Sequence, residues 1–178
     1  MSEIFLMNKI HKILAIDPGT DYIGVAYLYN EKFIAKTITS DYYGIKRLED
    51  LVNRLVNIIE IVKPKFIGIE DYGYGGKFFN VEVAEIVGAI KYKLRSSKKK
   101  YEITFLAPNS VKLLVAGNGR ATKPELRKAI NKKYSRLKIH TSHESDAMAI
   151  FAVMEDYLKG KINADASRRI KGRTYSNI

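Results

Sequence analysis

The feature that most constrains this chain is an apolar run that stops on an acid. Residues 13–16, Ile-Leu-Ala-Ile, read as a buried strand, and Asp17 stands at its C-terminal tip, before Pro18-Gly19-Thr20. A carboxylate at the end of a buried strand is costly unless something cationic sits on it. Pro18 fixes φ and Gly19 supplies a conformation that residues with a Cβ avoid, so the chain reverses tightly. A second apolar run, residues 23–29, follows. The local sequence therefore presents Asp17, and function turns on which other groups converge there.

The rest of the chain supplies a sheet to hold that acid. Residues 23–29 and 33–39 are joined across a short polar connection that fits a hairpin. Over residues 44–62 the apolar positions Ile45, Leu48, Leu51, Val52, Leu55, Ile58, Ile59 and Val62 recur at three and four, which predicts an amphipathic helix ended by Pro64. Residues 65–70, Lys-Phe-Ile-Gly-Ile-Glu, then form a strand that again terminates on an acid. An aromatic, glycine-rich loop (71–79) precedes a helix over 80–94, a basic turn, a fifth strand over 101–106 and a short helical piece over 111–115. Thr122-Lys-Pro-Glu125 and Thr141-Ser-His-Glu144 are capping boxes, the first opening a helix to about residue 134 and the second a last helix to residue 158. In that last helix Ala147, Ile150, Phe151 and Met154 face inward. Three antiparallel strands extended by two helix-connected ones make an α/β fold: a five-stranded mixed sheet with helices on both faces. If the strands ending in Asp17 and Glu70 are parallel neighbours, their acids share one sheet edge, about 4.8 Å apart plus side-chain reach.

The start of the last helix adds the third contribution. Residues three apart share a helix face, so His143 and Asp146 point one way while Glu144 points elsewhere. Converging carboxylates repel and need protons or cations. The set Asp17, Glu70, His143 and Asp146 offers hard oxygen donors and one imidazole, and the chain has no cysteine, so Mg²⁺ is the expected ion, with Mn²⁺ as substitute. In a phosphodiester site two such ions activate water and stabilise the departing oxygen, with Asp17 shared between them. His143 either binds an ion or orients the water.

Charge points to the partner. Thirty-one Lys and Arg against nineteen Asp and Glu leave +12 at pH 7, and such an excess favours a polyanion, nucleic acid first. Lys112, Arg120, Lys123, Arg127, Lys128, Lys132 and Lys133 are dense around the proposed site and read as phosphate contacts. Tyr72, Tyr74, Phe78 and Phe79 can stack on bases, cover the core or form a dimer contact. No run is long enough to span a membrane and the N-terminus lacks a signal sequence, so a cytoplasmic protein is expected. Residues 1–160 read as one domain and 161–178 as a flexible basic tail.

These motifs together resemble the RuvC-type Holliday junction resolvases, of the RNase H and retroviral-integrase-like superfamily. The resemblance rests on Ile16-Asp17-Pro-Gly-Thr with Gly24, on Ile69-Glu70, on residues 111–123 and on His143-Glu-Ser-Asp146, in the family's order from residue 13 to about 154. It implies an RNase H-like fold and a homodimer that makes paired symmetric nicks in four-way DNA junctions, a crossover junction endodeoxyribonuclease. By motif position it implies that Asp17, Glu70, His143 and Asp146 bind the catalytic metals. Lys112 and Lys123 match basic residues for DNA contact and catalysis, and the aromatic loop corresponds to the family's wedge at the junction centre. His143 stands where the family often has Asp. Other readings of the same residues are an RNase H-like or transposase-type nuclease on hybrid or linear substrates, and a non-catalytic junction-binding protein.

Overall fold

The computed structural model describes residues 10, 12–71, 80–97, 99–162 and 174–176. Tyr72, Tyr74, Phe78 and Phe79 and most of the 161–178 tail lie outside the described residues. In chain order the elements are β1 (Ile13–Pro18), β2 (Tyr22–Tyr29), β3 (Lys32–Thr39), α1 (Gly44–Val62), β4 (Phe66–Glu70) and α2 (Val81–Ser96). They continue with β5 (Glu102–Leu106), α3 (Pro108–Ala116), α4 (Lys123–Lys133), α5 (Ser142–Leu158) and β6 (Thr174–Ser176).

The strands lie in the order β3-β2-β1-β4-β5-β6. β1, β4 and β5 are mutually parallel, while β2 runs antiparallel to both β1 and β3. The five expected strands are all present. β6 is an addition: three residues of the tail segment pair antiparallel with β5, pairing an edge that otherwise presents an open ladder.

Side-chain alternation divides the core. Leu14, Ile16, Ile67 and Ile69 pack on one face with Leu51, Leu55, Val87 and Ile90 of α1 and α2. Ile13, Ala15 and Phe66 point the other way, into a cluster with Val111, Leu126, Ile130 and the length of α5. Asp17 continues the 13, 15 series and Glu70 the 66, 68 series, so a period of two places both acids toward α5. Register completes the alignment. Ile16 pairs with Ile69, so the next residue on each parallel strand is the acid, while Asp17 pairs with Gly24 and Gly24 with Thr37. A transverse row, Thr37–Gly24–Asp17–Glu70, thus crosses four strands under the first turn of α5.

α5 is held there by three contacts. Its capping box forms as the sequence predicts, with the Glu144 N–H donating to Thr141 Oγ1 at 3.1 Å and Glu144 Oε2 accepting from the His140 and Thr141 amides at 2.6 and 3.3 Å. Thr141 Oγ1 meets Thr37 Oγ1 at 2.8 Å, pinning the cap to β3. Gly68 lets the helix settle on β4, since a Cβ there would come within 2.7 Å of Met154 Cγ. Beyond its first turn α5 is enclosed on all sides, with residues 147–155 buried.

Two local details differ from the pattern in the sequence. Ile45, part of the expected apolar stripe, is 83% exposed in the opening turn of α1, before that helix reaches the sheet. The β2–β3 hairpin places both Asn30 (φ 47°) and Glu31 (φ 62°) in the left-handed region, the requirement of a two-residue turn matched to strand twist.

Candidate active site

The carboxyl ends of β1 and β4 and the first turns of α4 and α5 enclose a cavity of about 340 Å³. Asp17, Glu70 and Asp146 line it together with Tyr22, Lys112 and Lys123. His143 joins from the side: one ligand atom each from Asp17, His143 and Asp146 lie within 4.8 Å of one another. Glu70 stands outside that triad but shares the cavity with Asp17 and Asp146. Acids distant in sequence therefore meet, in two overlapping groups with Asp17 and Asp146 common to both.

Asp17 is buried, at 6% exposed, and its Oδ2 has no hydrogen-bond partner. His143 Nδ1 is likewise buried and without one, and the two atoms lie 4.0 Å apart, too far for a hydrogen bond. Burial raises the Asp17 carboxyl well above its ordinary value, and Glu70 and Asp146 push it further against the pull of Lys123. Glu70 rises to about 7, chiefly by burial and then by Asp146, with Lys112 and Lys123 opposing. His143 moves the other way: burial and Lys123 lower its pKa against the attraction of Asp146 and Glu144, so the ring is neutral at pH 7. The Asp17–His143 contact is accordingly not an ion pair. It is an acceptor facing an imidazole with no proton-sharing partner.

That donor set fits a divalent cation. Carboxylate oxygens and one neutral imidazole suit Mg²⁺ or Mn²⁺. Two buried polar atoms left without partners 4.0 Å apart beside the cavity, Asp17 Oδ2 and His143 Nδ1, are what an ion would satisfy.

The cations of the protein are distributed unevenly. Lys123, at the first position of α4, places Nζ 3.5 Å from Asp146 Oδ2. Lys112 lines the cavity from α3. Arg120 is exposed on the loop between them, its amide donating to Asn118 Oδ1 at 2.9 Å. Arg127 is half-buried, and its guanidinium donates to the Ile139 carbonyl, tying α4 to the approach of α5. Lys133 is turned away, bonded to Asp156 at 2.6 Å. The tetrad and the two lysines come together, whereas Arg127 and Lys133 are engaged elsewhere.

Sequence reasoning missed Tyr22. Its ring stacks on His143 with centroids 3.3 Å apart and planes 27° apart. The alternation that puts Gly24 opposite Asp17 also puts Tyr22 on the α5 side, so the signal lay two residues before a position already singled out.

Residues 13–154 match the family model described as "Crossover junction endodeoxyribonuclease RuvC". The chain belongs to the RuvC family. Among RuvC proteins, that of Carboxydothermus hydrogenoformans is 31% identical over 131 residues, covering 68% of this chain and 80% of that one. The RuvC of Prochlorococcus marinus (subsp. pastoris) is 28% identical over 148 residues, covering 78% and 92%. The structure of Thermus thermophilus RuvC in complex with Holliday junction substrate superposes with a TM-score of 0.68 at 19% identity, over 83% of this chain and 95% of that one. That last likeness concerns the fold, which is the α/β mixed sheet of the RuvC family.

Proposed function

We propose that this RuvC-family chain is a metal-dependent endonuclease that resolves four-way DNA junctions by paired, symmetric nicks. The observation that carries the reading is the convergence of Asp17, Glu70 and Asp146 with Lys112 and Lys123 around one cavity. Asp17, Glu70, His143 and Asp146 would hold two divalent ions, Mg²⁺ with Mn²⁺ as substitute, with Asp17 as the ligand common to both. Bound there, the ions supply Lewis-acid charge that makes water a better nucleophile and offsets negative charge building on the phosphodiester.

The chain's own residues do the rest. Lys123, beside Asp146, and Lys112 draw a backbone phosphate toward the acids and offset its charge. Arg120, and the donors of Arg127 not given to Ile139, extend the phosphate track. The Tyr22 phenol stays protonated, its pKa raised by burial and by Asp17, Asp146 and Glu70. Asp71 and Asn80 both line the cavity; Tyr72, Tyr74, Phe78 and Phe79, outside the described residues, would stack on bases of an open junction. A symmetric cut on two opposed strands needs two such sites, hence a homodimer. Residues 1–160 form the nuclease domain, followed by the basic 161–178 segment. No helix among the described residues is long and apolar enough to cross a membrane.

The test is a panel of end-labelled four-way, three-way, flap, linear duplex and hybrid substrates, with Mg²⁺, Mn²⁺ or chelator. Symmetric paired nicks on branched substrates, abolished by chelator and by Asp17→Asn while junction binding persists, are expected. Comparable cutting of linear duplex or hybrid would favour the RNase H-like or transposase-type reading. Junction binding without cleavage in any metal would leave a non-catalytic binding protein.

A further inference from the structure

We propose that Tyr22 is the positioning residue for His143, its ring holding the imidazole so that Nδ1 faces Asp17 before any ion arrives. The proposal rests on the reading of His143 as a metal ligand and adds a residue which that reading leaves without a role.

The geometry around Tyr22 is built for the stack. Gly19 donates its N–H to the Tyr22 carbonyl at 3.0 Å, closing the β1–β2 reversal. A Cβ on Gly19 would fall 2.3 Å from Tyr22 Cζ, so only glycine leaves the ring its place. Asp21, immediately before Tyr22, pairs with Arg47 and anchors the reversal to α1. Gly24 opens the other side: a Cβ there would lie 2.6 Å from the His143 carbonyl oxygen, so its absence lets the first turn of α5 descend onto the ring. The imidazole thus lies against the Tyr22 face with its Nδ1 4.0 Å from Asp17 Oδ2.

An imidazole at the second position of a helix has two side-chain torsions to fix, and among the described residues no hydrogen bond to either ring nitrogen of His143 fixes them. Metal-binding histidines are ordinarily oriented by an acceptor on the second nitrogen. Here a stacked aromatic face does that work, removing the alternative in which the ring swings into solvent. Packing of this kind lowers the ordering cost that the ion would otherwise meet.

The test uses the full chain without DNA and Mn²⁺ as probe, with dissociation constants from calorimetry or electron paramagnetic resonance. Tyr22→Phe keeps the ring and is expected to bind Mn²⁺ within about twofold of wild type. Tyr22→Leu fills space without a stack and is expected to lose about tenfold or more, the range for removing a ligand's orienting partner. In a His143→Ala background, Tyr22→Leu is expected to add nothing. Unchanged affinity in Tyr22→Leu, or an equal loss with and without His143, overturns the proposal. Unchanged affinity in His143→Ala overturns instead the ligand assignment beneath it. If Tyr22→Leu does not fold, wild-type proton spectra decide: ring protons of His143 upfield of those of His140 support the stack, and coincident shifts overturn it.

Discussion

Glu70→Gln in metal-free protein isolates the electrostatic cost built into the site. In the folded chain the Glu70 carboxyl sits at about 7, against an ordinary value of 4.5, because burial and Asp146 disfavour its charge. Between those values the folded state holds a proton that the unfolded chain has released. Stability therefore falls as pH rises through that window, and the full penalty stands above pH 7. At about 1.4 kcal/mol per pH unit the gap amounts to roughly 3 kcal/mol. Glu70 keeps partial contact with solvent, so this is an upper bound. The neutral, isosteric Gln removes the penalty. In chelator at pH 8, Glu70→Gln is expected to melt up to roughly 6–12 °C above wild type, with the difference shrinking to nothing near pH 4.5. Saturating Mg²⁺ is expected to narrow or reverse the difference, because wild type gains more from the ion than a variant left with only Asp17, His143 and Asp146. Thermal unfolding across pH, with and without chelator, measures all three. Coincident melting at pH 8, or a difference that does not change with pH, refutes the reasoning.

Gly24→Ala drives a Cβ to 2.6 Å from the backbone carbonyl of His143, which cannot step aside, and is expected to cost about 1–3 kcal/mol in urea unfolding. Gly68→Ala meets the flexible Met154 side chain instead, so its loss is expected to be smaller; equal losses would deny Gly24 its special place. Tyr134→Phe deletes a 2.6 Å bond to the buried Glu155, which Lys159 and Lys133 still partner, and is expected to cost about 1–2 kcal/mol with no change in Mn²⁺ affinity.

The sequence makes the strands and helices legible wherever one face must be buried. The 3.6 spacing over α1 and the capping boxes at Thr122 and Thr141 correspond to elements with nearly the expected bounds, because each signal is local. The acids are legible for a related reason: Asp17 and Glu70 each end an apolar strand, and a carboxylate there is costly unless something cationic sits on it. What escapes is the part set by approach between elements. Ile45 keeps helical period with the stripe yet lies beyond the reach of the sheet, and period alone carries no distance. Nothing in the sequence shows that one donor of Arg127 goes to the Ile139 carbonyl, a contact set by how α4 and the approach to α5 meet. Tyr22 looks like an ordinary strand opener, and only the close descent of α5 over Gly24 turns it into the partner of His143. The short pairing of residues 174–176 with β5 has no periodic signature at all, since three residues are too few to carry one.

The central claim is spatial, and anomalous diffraction from crystals soaked in Mn²⁺ tests it most directly. Anomalous peaks are expected inside the cavity, one touching Asp17, His143 and Asp146 and one touching Asp17 and Glu70. Peaks confined to other surfaces of the protein, with those four side chains contacting no ion at saturating Mn²⁺, would contradict it.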